Sequence, residues 1–237
     1  MAHSSSSNLD PRIQRGMERQ LGHRRVRLEA GEKSIGWKVG FGSPQAMQRL
    51  AIQAPLVGFL TDGTLLPTNS RVSIGGWVKP AVEPEIAVHM GEALAGTSDR
   101  QTAREAIAAL GPAIELADVD PPPSDVEAIL AGNIFNRHVI LGRADASRAG
   151  CVLDGMIGRV YQAGVESAKV EDLQALTGDL VEIVRSVAAL LADVGVGLQS
   201  GEVIIAGSIV APIWVDGSTQ IRYTLEPVDG ISVQLVA

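Results

Sequence analysis

One cysteine, Cys151, is all that the 237 residues contain, which excludes an intramolecular disulfide and a cysteine-based zinc site. Aromatic residues are almost as scarce. They make up 3% of a chain whose hydrophobic residues reach 46%, so a core has to be assembled mainly from Val, Ile, Leu and Ala. Positive charge is in deficit as well. A net charge of −7 and a pI near 5.1 are the reverse of the clustered Lys and Arg excess that marks a nucleic-acid footprint. No uninterrupted apolar run reaches the ~18 residues of a transmembrane helix. The serine-rich start, Met1 to Asn8, lacks the apolar segment of a signal peptide. These absences predict a cytoplasmic protein that engages neither nucleic acid nor membrane, with residues 1–11 as a disordered leader ahead of a single domain, 12–237.

What is present is turn-rich: 26 glycines interrupt many short apolar runs. Arg12, Arg15, Arg19, Arg24, Arg25 and Arg27 are interleaved with Asp10, Glu18, Glu29 and Glu32, the pattern of an N-terminal helix with a solvated face rather than a basic arm. A second helix is predicted over Ser98 to Leu110, opened by Ser98 with Gln101 three residues on and closed by Gly111-Pro112. A third follows Asp179, with apolar residues at Leu180, Ile183, Val184, Val187, Leu190, Leu191 and Val194 before Gly195. Strands are predicted over residues 34–40, 55–60, 71–76, 81–90, 112–119, 138–142, 202–210, 220–225 and 231–236, each short, β-branched and punctuated. Because strands and helices do not alternate, a doubly wound parallel sheet is excluded in favour of a mixed, β-rich α+β fold. The triple proline Pro121 to Pro123 reads as a rigid turn or a loop beside a site.

The chemistry concentrates in AVEPEIAVHM, Ala81 to Met90. Read as a strand, it puts Glu83 and Glu85 on one face together with Ala81, Ala87 and His89, and the apolar side chains on the other. The alanines leave space beside two carboxylates that repel each other, and Pro84 suggests an edge or a bulge. PAIELADV repeats the arrangement, with Glu115 between Ala113 and Ala117. Three carboxylates with room between them suit a hard divalent cation such as Mg2+ or Mn2+, which takes oxygen ligands and keeps positions open.

The ordered runs GWKVGFGSPQAMQ, VGFLTDGTLLP, VEPEIAVHMGEAL, PAIELADVD, NIFNRHVILG and GEVIIAGSIVAPIWV resemble the fumarylacetoacetate hydrolase superfamily, in its 2-keto-4-pentenoate hydratase and 4-oxalocrotonate decarboxylase branch, over about Ile35 to Ala237. The resemblance implies a fumarylacetoacetase-type mixed β-roll or sandwich with a few packed helices, homo-oligomers, and a Mg2+ or Mn2+ cofactor. The activity it implies is that of a hydro-lyase acting on a small 2-hydroxy-2,4-dienoate from aromatic-ring breakdown. A decarboxylase or C–C hydrolase of the same superfamily is the alternative, and a catalytically altered partner subunit the non-enzymatic one.

It assigns the metal carboxylates to Glu83, Glu85 and Glu115, a catalytic lysine to Lys38 in K-x-G, and an acid/base partner to Asp62. Ser43, Asn133, Arg137 and Ser208 are the substrate-binding candidates. The chain departs from the hydratase pattern in Asn133-Ile134-Phe135-Asn136-Arg137-His138, where those enzymes carry a small serine-containing stretch. His138 is therefore expected either as an extra acid/base, as a binder of a second substrate carboxylate together with Arg137, or as a structural residue. Val210 and Ala211 replace the aromatic and arginine expected after the G-S element, which leaves the substrate open.

Overall fold

The computed structural model describes residues 9–119 and 124–237, so the leader Met1 to Asn8 and the triple proline lie outside the described residues. Along the chain come α1 (Pro11–Glu29), β1 (Ser34–Gly40), α2 (Pro44–Leu50), β2 (Leu56–Thr61), β3 (Leu65–Leu66), β4 (Ser70–Ser73), β5 (Pro80–Met90), α3 (Arg100–Glu105), β6 (Ile107–Asp118) and α4 (Val126–Ala131). Then follow β7 (Asn136–Leu141), β8 (Ile157–Gln162), β9 (Val165–Val170), α5 (Leu180–Asp193), β10 (Val203–Ser208), β11 (Ile213–Trp214), β12 (Thr219–Glu226) and β13 (Asp229–Val236).

An eight-stranded mixed sheet runs β2-β1-β10-β5-β6-β7-β3, with β11 adding to β5, and a five-stranded sheet runs β4-β13-β12-β8-β9. Alternation decides what lies between them. Trp37, Val82, Ile86, Val88 and Ile114 project from the larger sheet into a core shared with Ile221, Tyr223 and Val233 of the smaller one. Each fully buried aliphatic side chain there contributes about 1.5–3 kcal/mol of burial free energy. The opposite face of the larger sheet carries a smaller cluster, Leu60, Ala87, Ala113, Val139, Val203 and Ile205. The carboxylates belong to that second face.

The helices α1 and α4 pack together beside β2. Gly16 permits the contact, since a Cβ there would stand 2.7 Å from Leu130 Cβ. Asp10 caps α1 by accepting from the Arg12 backbone N–H, so Asp10 and Pro11, expected in the leader, are part of the helix start. The periodicity of α5 is as read: Asp179 caps it and Leu180, Ile183, Val184, Val187 and Leu191 form its buried stripe.

Other expectations give way. The helix predicted to Leu110 ends at Glu105, capped by Asp99 rather than Ser98, and Ile107–Leu110 begin β6. A twelve-residue strand that pairs with β5 along its whole length outweighs the helix propensity of Ile-Ala-Ala-Leu. The segment 71–76 contributes a strand only to Ser73. Helices α2 and α4 and the hairpin β8–β9 escape the sequence pattern because they are short, and the residues of β9 are largely exposed. Pro84 does not mark an edge, since β5 is flanked by β6 on one side and by β10 and β11 on the other. β10 reaches Glu85 and β11 starts at Val82, so Pro84 sits at their junction, where its missing N–H breaks no ladder; its carbonyl accepts from the Ile209 N–H at 2.9 Å.

Candidate metal centre

β5 and β6 pair antiparallel, with Glu83 opposite Glu115 and Glu85 opposite Ala113. Opposite residues of such a pair share a face, so the register brings the three carboxylates together. One ligand oxygen from each lies within 4.8 Å of the others. Glu85 and Glu115 are 1% and 0% exposed, and Glu83 stays half-buried with its carboxyl turned inward.

Among the described residues, one cation faces them. Lys38, 1% exposed on β1, is not a surface lysine: its Nζ stands 2.5 Å from Glu115 Oε1 and donates to the Ile134 carbonyl at 3.0 Å. Lys38 pairs with Ile205 of β10, which pairs with Ala87 of β5, so all share the alanine face. Asn136 Nδ2 donates to the same Glu115 Oε1 at 2.8 Å, and the Gly207 backbone N–H donates to Glu85 Oε2 at 2.7 Å.

The electrostatic balance is incomplete. Among the described residues, three carboxylates face one ammonium, and Glu115 Oε2 is buried without any hydrogen-bond partner. Burial, followed by the charge of Glu115, pushes the Glu83 carboxyl up to about 7. Burial and the charges of Glu115 and Glu83 also push Glu85 well above the usual carboxylate range, against the Lys38 ammonium and the Gly207 N–H. An orphaned buried oxygen beside two carboxyls held back from ionising fits a divalent cation, and an all-oxygen donor set fits a hard one.

The remaining predicted site residues are placed differently. Ser208 lies beside the centre, opposite Glu85, with its Oγ donating to the Pro84 carbonyl at 3.3 Å. Ser43 caps α2 by accepting from the Ala46 N–H at 3.2 Å. Asn133 has both side-chain polar atoms on the Phe59 backbone, 2.8 Å to its N–H and 3.0 Å to its carbonyl, which leaves neither for a substrate. Asp62 is exposed and accepts from the Lys33 N–H at 2.8 Å. Lys38 pairs with Gly58, whereas Asp62 follows Thr61, which pairs with Ser34; at ~3.3 Å per residue this leaves Asp62 about 13 Å farther along the strand. The acid/base role expected for Asp62 is therefore corrected to that of a turn residue.

His138 is likewise corrected. It pairs with Leu116, so it points to the face opposite Glu115, where it stacks on Trp77 with ring centroids 6.3 Å apart. Arg137 occupies a one-residue bulge beside it and pairs with Asp118 at 2.9 Å. That bulge also returns Asn136 to the carboxylate face, as the partner of Ala117, a role that strict alternation from His138 hides. His89 lies on the carboxylate face beyond Ala87, its Nε2 buried without a partner among the described residues and its ring held below its ordinary pKa by burial.

No model of a protein family matches the chain. It is 25% identical over 213 residues to a 4-oxalocrotonate decarboxylase of a Pseudomonas species, covering 87% of this chain and 80% of that one. Against the 2-hydroxyhexa-2,4-dienoate hydratase of Comamonas testosteroni the identity is 25% over 215 residues, 89% of this chain and 81% of that one. The solved 4-oxalocrotonate decarboxylase of Pseudomonas putida G7, complexed with magnesium and adipate, superposes with a TM-score of 0.84 at 23% identity, covering 93% of this chain and 85% of that one. In sequence the chain is thus similar to decarboxylases and hydratases that share its length range, and in fold it is similar to the solved decarboxylase.

Proposed function

We propose that the protein is a divalent-metal-dependent hydro-lyase that adds water to a small 2-hydroxy-2,4-dienoate, giving a 4-hydroxy-2-oxo acid, with residues 12–237 as one catalytic domain. The observation that carries this reading is the convergence of Glu83, Glu85 and Glu115 around a buried Lys38 on an alanine-lined face. Glu83, Glu85 and Glu115 would hold the ion, Mg2+ or Mn2+. When bound, it supplies Lewis-acid stabilisation of the negative charge that builds on the C2 oxygen of such a substrate.

The chain's own groups divide the rest of the work. Lys38 presents its Nζ protons toward the centre, held there by Glu115 Oε1 and the Ile134 carbonyl, and serves as the donor to the substrate in the proton transfers that accompany hydration. Asn136 fixes the Glu115 oxygen that Lys38 shares, so the carboxylate cannot swing away as the site fills. The alanines that bracket the glutamates, Ala81 and Ala87 around Glu83 and Glu85, and Ala113 and Ala117 around Glu115, provide the room and exclude competing polar groups. Ser208, opposite Glu85, would line the side that receives a substrate carboxylate.

One observation favours decarboxylation of a dicarboxylic relative as the second reading. Trp214 pairs with Ala81 and so lies on the carboxylate face, and Lys79 Nζ sits 4.1 Å above its ring, a cation that would serve the far carboxylate of a longer acid. The test uses Mg2+-loaded protein with 2-hydroxypenta-2,4-dienoate and with 2-hydroxymuconate, following diene absorbance and CO2 release in parallel. Loss of absorbance without CO2 is expected; CO2 release from the dicarboxylate alone would select the second reading, and no turnover of either would overturn both.

A further inference from the structure

Asn133, Ile134 and Phe135 hold φ of +53°, +51° and +63°, three consecutive left-handed residues none of which is glycine. L-residues visit that region singly, because Cβ crowds the following carbonyl, and a run persists only where the surroundings over-determine it. Here they do. The Asn133 side chain pairs with both the N–H and the carbonyl of Phe59, extending the open edge of β2 as another strand would. Ile134 is 3% exposed in a cluster with Met17, Leu56 and Leu130, and it packs where Gly40 has no side chain: a Cβ there would stand 2.8 Å from Ile134 Cγ2. Gly58 is bare for the same reason, since its Cβ would lie 2.8 Å from Asn133 Oδ1 and 2.9 Å from Lys38 Cγ. The outcome is a single carbonyl, that of Ile134, aimed at Lys38 Nζ from 3.0 Å.

We propose that Asn133 is a positioning residue that acts on Lys38 through this turn: clamped to Phe59, it fixes the direction of the Ile134 carbonyl, which points the Lys38 ammonium at Glu115 and the reacting end of the substrate. Backbone strain is retained at this point because a relaxed turn would send that carbonyl elsewhere. The proposal rests on the hydro-lyase reading for its catalytic consequence, but not for its structural one.

The experiment compares the Mg2+-loaded wild type with Asn133→Gly, which adopts positive φ without strain yet lacks both hydrogen bonds, and Asn133→Asp, which keeps an acceptor for the Phe59 N–H. Labelling of Lys38 by trinitrobenzenesulfonate, read by peptide mass spectrometry, is expected to be roughly tenfold faster in Asn133→Gly, the scale of losing two ordinary hydrogen bonds that hold a local segment closed. Asn133→Asp should fall between. The turnover number should drop by roughly ten- to a hundredfold with KM little changed, as misplacement of a reacting group predicts. Mg2+ affinity by calorimetry should stay within about twofold, since Asn133 touches no carboxylate of the centre. Wild-type labelling of Lys38 in Asn133→Gly would overturn the clamp; if that variant does not fold, the same reading of Asn133→Asp decides. Unchanged turnover per folded molecule, with only the melting temperature lowered, would reduce Asn133 to a structural residue. Absence of turnover in the wild type would sink the hydro-lyase reading while the labelling still decides the clamp.

Discussion

Stripping divalent ions and raising the pH should destabilise this protein through the clustered carboxylates Glu83, Glu85 and Glu115. Glu83 carries a folded-state pKa of about 7 against an ordinary 4.5, with burial as the main cause. A raised carboxyl contributes stability that is fully present below pH 4.5, where both folded and unfolded chains hold the proton, and is lost as the pH climbs through about 7. The gap corresponds to about 3 kcal/mol from this group. For a domain of this size that is roughly 6–12 °C in melting temperature. Glu85 is raised in the same direction and adds to the fall.

Thermal melts of the chelator-treated protein at pH 5 and pH 8, with and without Mg2+, measure it. The ion should restore more stability at pH 8 than at pH 5, because it binds the ionised carboxylates. His89 and His138, both held below 6.5 chiefly by burial, work the other way at low pH, so the Glu83→Gln variant serves as the reference that cancels them. A metal-free melting temperature that changes with pH equally in wild type and Glu83→Gln would refute the reasoning.

Three shorter predictions concern single residues. Glu85→Gln should weaken Mg2+ binding by roughly tenfold or more in calorimetry, since it removes one of three anionic ligands; unchanged affinity would mean that the centre is misplaced. Asp62→Asn should keep kcat within about twofold and cost no more than about 1 kcal/mol in urea denaturation, because the hydrogen bond its side chain accepts is the exposed one from Lys33 N–H. Gly36→Ala should prevent folding or lower the denaturation midpoint severely: at φ +144° its Cβ would lie 1.9 Å from the Val203 carbonyl oxygen, inside the β1–β10 pairing that carries Lys38, and a soluble variant of wild-type stability would contradict the register.

Much of the centre was legible because period-two alternation is a local property. Glu83 and Glu85 share a face whatever β5 pairs with, and the flanking alanines of all three glutamates are read directly. What local pattern cannot supply is pairing. Nothing in the chain states that Glu83 stands opposite Glu115, and Lys38 joins them only across β10, which lies more than a hundred and fifty residues later. The misplacements have the same origin. His138 and Arg137 sit within two residues of Asn136 in sequence, yet a one-residue bulge sends Asn136 to the carboxylates and leaves the other two on the far side. Asp62 is close to β1 in space but beside Lys33, not Lys38, because β1 and β2 run antiparallel.

The position of the centre follows from how β5 changes neighbours. Interior strands normally satisfy every backbone group along both edges, but at Pro84 one neighbour ends and another has not begun. The irregular pairing between Ile205 and Ser208 leaves the Gly207 N–H free of the ladder, and it turns to Glu85 instead. Gly207 sits at φ +94°, a backbone direction that favours residues without a Cβ. A proline with no N–H to satisfy and a glycine that releases one therefore meet on either side of the same carboxylate. The pair of local exceptions makes an anion tolerable in the middle of a sheet, and on that basis Gly207→Ala should disturb Glu85 as surely as removing a ligand would, seen as weakened Mg2+ binding with the remaining carboxylates intact.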